Sequence, residues 1–202
     1  MNEQLRSVLT TGLFFASLLV FSGASAAVEL NASSPLVKGC EACHGTRGDS
    51  QKAEVPRLNG QKSDYILIRL KEFRDPSRKP AHASPMPRNA AALSDSDSLA
   101  LAQYFSRQTP SPSSGFAFQT DAGAQIFLHG AEPATPACAI CHGPNGDGLG
   151  GTPRIAGQHR AYLMQQLADF NSAGRIGVAM NRHTWDMTLQ QMQELSEYLA
   201  NN

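Results

Sequence analysis

The sequence predicts an all-α protein made of two similar small domains in tandem. Apolar residues recur at helical spacing in several short segments, and no window reads as a run of alternating strand residues. The pattern around residues 40–105 also returns about one hundred residues later, as a duplicated domain requires.

The repeat can be followed residue by residue. Cys40, Cys43 and His44 match Cys138, Cys141 and His142 at an offset of 98. Pro56-Arg57-Leu58-Asn59-Gly60-Gln61 matches Pro153-Arg154-Ile155-Ala156-Gly157-Gln158 at an offset of 97, as Tyr65, Leu70 and Phe73 match Tyr162, Leu167 and Phe170. Met86 and Tyr104 match Met180 and Tyr198 at an offset of 94. The drift is what small loop insertions between fixed elements produce. Turn formers and small polar residues from Thr109 to Gly115 read as a linker. The expected division is therefore residues 27–109, a linker at 110–116, and residues 117–202.

Each half carries its own helices. Ile66, Leu70 and Phe73 predict a helix from Tyr65 to Arg74, and Leu163, Leu167 and Phe170 one from Tyr162 to Phe170. Ser94 with Asp97, and Thr188 with Gln191, read as capping boxes opening the last helix of each half. Those helices run on through Leu101, Tyr104 and Phe105, and through Leu195, Tyr198 and Leu199. A helix from Ala122 to Leu128 precedes the second motif. Before Cys40 only Leu36 and Val37 remain of its counterpart, so the first domain is expected to start abruptly.

Residues 1–26 read as a cleaved export signal: Arg6 near the start, an apolar stretch from Leu13 to Phe21, then Ala24-Ser25-Ala26 as an A-x-A site. The competing reading is an uncleaved anchor, but the apolar run is shorter than the roughly 20 residues a spanning helix needs. The expected mature protein is periplasmic. Lysine plus arginine and aspartate plus glutamate number 17 each, which lacks the basic excess of a nucleic-acid binder. Charge is uneven, however: 12 basic against nine acidic residues over 27–109, and four against seven from Pro110 onward. Such a dipole can orient docking; scattered solvated charge is the plain alternative.

Export permits disulfides, yet all four cysteines fall in Cys40-Glu41-Ala42-Cys43-His44 and Cys138-Ala139-Ile140-Cys141-His142. C-x-x-C-H is the signature of covalent haem attachment. Two thiols one helical turn apart reach the two vinyl groups of one porphyrin, and the next histidine lies beneath the iron. Paired C-x-x-C motifs of a zinc site stand about 15 to 20 residues apart, far closer than here, and nothing resembles the βαβ context of a thioredoxin dithiol. Two haem c groups are therefore expected, attached through Cys40 and Cys43 and through Cys138 and Cys141, with His44 and His142 as proximal ligands. Their apolar surface would supplement cores that are small for domains of this size.

The sixth ligand decides what each iron does. Met164, Met187 and Met192 lie in or beside apolar helices and read as core packing. Met86, between Pro85 and Pro87, and Met180, after Gly177-Val178-Ala179, stand in apparently irregular segments, each seven residues before the apolar residue that introduces the capped last helix. They are the expected axial ligands. His82 is the competitor for the first iron, while His129, His159 and His183 read as solvated or hydrogen-bonding side chains. Pro56 and Pro153 follow the proximal histidines by 12 and 11 residues and offer carbonyls that can hold the second ring nitrogen.

The residues C-x-x-C-H-G, P-x-[LI]-x-G-Q, the Tyr-to-Phe helix, the lone loop methionine and the final helix ending near tyrosine resemble the class I cytochrome c fold. Two copies in tandem, with Gly60-Gln61 and Gly157-Gln158-His159 followed by Tyr65 and Tyr162, resemble the cytochrome c4 family over essentially the whole mature chain. The resemblance implies two haems with His/Met ligation facing each other across a domain interface. It implies the same carbonyl role for Pro56 and Pro153. It also implies a periplasmic electron carrier, loosely associated with the membrane, that passes electrons from a respiratory donor to a terminal oxidase or other respiratory enzyme. The shortened start of the first domain and the two prolines around Met86 depart from the family pattern. Two alternatives remain: the cytochrome subunit of a dehydrogenase complex, which uses the same chemistry, and a diheme peroxidase, which needs an open axial position that paired methionines argue against.

Overall fold

In the computed structural model, residues 29–77, 84–111 and 122–202 are described. Among them there is no strand; Ala131 and Thr135 form an isolated bridge. The first half contains α1 (Pro35–His44), a short 3₁₀ turn (Thr46–Gly48), α2 (Ser63–Arg74), α3 (Met86–Ala91) and α4 (Asp95–Ser106). The second contains α5 (Ala122–His129), α6 (Ala139–His142), α7 (Arg160–Asn171), α8 (Val178–Thr184) and α9 (Leu189–Asn201).

Both expected capping boxes are present. Ser94 accepts from the Asp97 amide while the Asp97 carboxylate receives the Ser94 amide, and Thr188 and Gln191 do the same at α9. The expected helices extend by one or two residues at their ends.

The two halves differ ahead of the motif. Among the described residues the first domain does start abruptly: Pro35 at the first helical position begins a ten-residue helix that runs through Cys40 and Cys43 to His44, and no helix precedes it. In the second half the four-residue α6 carries the motif, and a separate helix, α5, which packs along α9, precedes it across a loop. Among the described residues of the first half only α1, with Val37 buried, packs in that place against α4.

Each half has its own core. Ile66, Leu70, Leu101, Tyr104 and Phe105 form the first with Val37 and Ala90. Their repeat equivalents Leu163, Leu167, Leu195, Tyr198 and Leu199 form the second with Ala124, Ile126 and Phe127. Met187 and Met192 are buried in that second core, as their helical setting predicts. Gly123 lies where α5 meets α9: a Cβ there would stand 2.3 Å from the Glu194 carbonyl oxygen.

The halves meet along a face made of repeat-equivalent residues. Tyr65 and Tyr162 face each other across it. The Gln61 side chain bonds the main chain of Arg154, and the Gln158 side chain bonds the main chain of Arg57. His159 donates from Nε2 to the Ser50 carbonyl at 2.8 Å. Exchange of equivalent contacts in both directions is the signature of a pseudo-two-fold relation between the halves.

Candidate functional site

Local geometry brings each Cys-Cys-His set together. Cys40, Cys43 and His44 occupy the last two turns of α1, and Cys138 caps α6, which carries Cys141 and His142. The chain turns sharply after each histidine, at Gly45 with φ 78° and Gly143 with φ 77°, a left-handed conformation that suits glycine. The loop then returns the same way in both halves: Leu58 N donates to Gly48 O, and Ile155 N to Gly146 O, both at 2.8 Å. This return delivers the prolines.

His44 Nδ1 donates to the Pro56 carbonyl at 2.9 Å, and His142 Nδ1 donates to the Pro153 carbonyl at 2.9 Å. A carbonyl only accepts, so the proton is on Nδ1 and the lone pair on Nε2. Both rings are buried, 7% exposed, and burial lowers each imidazole pKa, favouring the neutral form a metal needs. Among the described residues neither Nε2 has a hydrogen-bond partner. A buried, neutral, oriented imidazole with one nitrogen free fits a haem iron.

The thiols fit as well. All four are free, Cys43 and Cys141 exposed and Cys40 and Cys138 half-buried against their cores. Burial pushes the Cys40 and Cys138 thiols up to about 11, so neither carries a charge in its apolar setting. Thioether formation leaves no charge to bury at all.

Met86 and Met180 pack against the same cores as Cys40 and Cys138 respectively. Their segments are not irregular, as the sequence reading expected. Met86 opens α3, because Pro85 and Pro87 fall at the helix start, where a missing amide hydrogen is harmless. Met180 is the third residue of α8, whose end is tied by Thr184 Oγ1 donating to the Met180 carbonyl at 2.8 Å. Ile176 and Trp185, flanking α8, are 81% and 65% exposed. His183 lies in α8, and His129 ends α5 rather than lying in a loop. His82, residues 1–26 and the linker from 112 to 116 lie outside the described residues.

Sequence reading did not single out Arg175. It stacks on Phe170 at 4.4 Å from the ring centre and donates to the Tyr65 hydroxyl at 3.2 Å. Its counterpart in packing, Arg69 over Phe73 at 5.1 Å, comes from a different repeat position, so no equivalence could have flagged it.

Duplicated helical halves, each presenting two thiols and a carbonyl-held histidine, define a tandem c-type cytochrome. The cytochrome c family model matches residues 121–202. The chain is 35% identical to the cytochrome c4 of Stutzerimonas stutzeri over 184 residues, 87% of this chain and 85% of the relative. It is 34% identical to the thiosulfate dehydrogenase electron acceptor of Thiomonas intermedia over 181 residues, covering 84% and 81%. The cytochrome c4 structure of Acidithiobacillus ferrooxidans superposes with a TM-score of 0.72 at 35% identity, over 82% of this chain and 99% of the other. The chain belongs to the cytochrome c4 family, and is an electron-transfer protein rather than an enzyme.

Proposed function

We propose that this is a periplasmic carrier with two covalently bound haem c groups, one in each half. Cys40 and Cys43 hold the first, with His44 and Met86 as its iron ligands; Cys138 and Cys141 hold the second, with His142 and Met180. The domains are residues 27–109 and 117–202, the linker is 110–116, and residues 1–26 are a cleaved export signal. The observation that carries this reading is the geometry made twice: a buried histidine held through Nδ1 by a proline carbonyl, with a methionine packed on the same core as the first cysteine. The uncovered apolar side chains of Ile176 and Trp185 beside Met180 suit a large apolar group lying against them.

When bound, the haem supplies one-electron iron chemistry, and methionine ligation raises its potential. The protein orients each imidazole and keeps it neutral, and Met86 and Met180 would offer the iron a thioether sulfur that does not exchange protons. Electrons pass from a respiratory donor to a terminal oxidase or another respiratory enzyme. A second reading has a substrate-oxidising dehydrogenase as donor, favoured by the similarity to a thiosulfate dehydrogenase electron acceptor. No helix among the described residues is long and apolar enough to cross a membrane, so any membrane association would be peripheral for that part of the chain.

Optical spectroscopy of the holoprotein tests the ligands. A near-infrared methionine-to-iron band scaled to two haems is expected, halved in Met86→Ala and again halved in Met180→Ala. High-spin ferric iron in the wild type would overturn the closed-site reading. Reduction kinetics with a thiosulfate-supplied dehydrogenase, set against oxidation by a terminal oxidase, separates the two donor readings.

A further inference from the structure

The carbonyl of Pro56 and the amide of Arg57 are the two ends of one peptide group, and so are those of Pro153 and Arg154. Each group is held at both ends by different domains. In the first half, His44 Nδ1 donates to the Pro56 oxygen at 2.9 Å, while the Arg57 amide donates to Gln158 Oε1 at 2.9 Å. In the second, His142 Nδ1 donates to the Pro153 oxygen at 2.9 Å, while the Arg154 amide donates to Gln61 Oε1 at 2.7 Å. Each glutamine closes its clamp by donating from Nε2 to the carbonyl of the same arginine, at 3.0 Å from Gln158 and 2.8 Å from Gln61. The neighbouring amides of His159 and Lys62 also donate to the two Oε1 atoms. Both glutamines are 7% exposed, so little water competes.

A peptide group whose N–H donates is polarised, and its carbonyl becomes a better acceptor, by about 10–30% per bond. A better acceptor draws the histidine Nδ1 proton more strongly, makes the ring a more basic ligand and stabilises ferric iron. We propose that Gln158 and Gln61 are crossed positioning residues: each sets the proximal histidine, and hence the potential, of the haem in the domain to which it does not belong. The inference rests on His44 and His142 being the proximal ligands. The consequence is specific. Any change that separates the domains removes one polarising bond from each histidine's acceptor, so domain docking and both potentials are linked.

Potentials of the two haems in the full-length holoprotein test this, each haem assigned through its paramagnetically shifted methyl resonances. In Gln61→Met, which keeps the volume and removes both bonds, the second haem's potential should rise. A threefold change in its reduction equilibrium is expected, roughly 30 mV at 59 mV per tenfold for one electron, with the first haem held near its wild-type value. Gln158→Met should reverse the pattern, raising only the first. In each variant the His Nδ1 proton of the opposite domain should show a weaker hydrogen bond by NMR. A shift confined to the glutamine's own domain, an equal shift of both haems, or no shift would overturn the proposal. Should either variant fail to fold, Gln61→Leu and Gln158→Leu repeat the comparison. Wild-type His-ligand resonances from residues other than His44 and His142 would instead reject the ligand assignment itself.

Discussion

Tyr65 and Tyr162, which occupy the same position in the two repeats, meet across the interface. Burial, followed by the neighbouring Tyr65, holds the Tyr162 phenol above its ordinary pKa. Tyr65 has a further partner, since Arg175 donates to its hydroxyl at 3.2 Å. The pair is therefore unequal in energy although equal in sequence.

That inequality gives the first expected outcome. Tyr162→Phe removes a hydroxyl that faces Tyr65 and should cost at most about 1 kcal/mol. Tyr65→Phe removes the facing hydroxyl and also takes a hydrogen-bond partner from the Arg175 guanidinium, so it should cost about 2–3 kcal/mol. Denaturant unfolding of the holoprotein measures both; equal costs would mean that the Arg175 contact contributes nothing.

Gly123→Ala should destabilise the second half. Alanine improves helix propensity by about 1 kcal/mol, yet its Cβ would stand 2.3 Å from the Glu194 carbonyl and 2.6 Å from the Tyr198 Cβ. Main chain cannot move aside as a flexible side-chain tip can, so α5 and α9 must separate, at a gross cost of typically 1–3 kcal/mol. We expect a net loss of stability in thermal unfolding; a variant as stable as wild type would show that the helices have room.

His159 gives the interface a pH dependence. Burial, then the Arg57 charge, lowers its pKa, outweighing the bond to the Ser50 carbonyl. A histidine with a folded pKa below its unfolded value, about 6.5, binds more protons when unfolded. Its stability contribution is thus complete above roughly pH 6.5 and declines as pH falls toward the lower folded value. Thermal unfolding from pH 8 to pH 5 should lose more stability in the wild type than in His159→Gln. His44 and His142 are common to both proteins, so the difference isolates His159; parallel curves would refute it.

Much of this was legible in the chain because it is local. The spacing of C-x-x-C-H is set by the macrocycle, and a capping box needs only residues three apart. Even Pro56 and Pro153 were readable, since proline supplies a carbonyl without an amide hydrogen and the loop between is short. Met86 was harder. Its flanking prolines suggested irregular chain, whereas proline in the first turn begins a helix as readily as it ends one. The abrupt start of the first domain was legible, by contrast, because only Leu36 and Val37 offer apolar side chains just before Cys40, and among the described residues no helix comes before α1.

The sequence by itself determined that the chain is a duplicated all-α protein, with each half carrying a thiol pair, a histidine and a methionine at matching positions. It also showed Gln61 and Gln158 to be equivalent. Only the tertiary structure decided that each reaches into the other half, on to the peptide that holds the other histidine. Repetition along a chain states that two residues share an environment, but not which copy supplies it. That choice depends on how the two cores dock, where long-range contacts carry no periodicity to read.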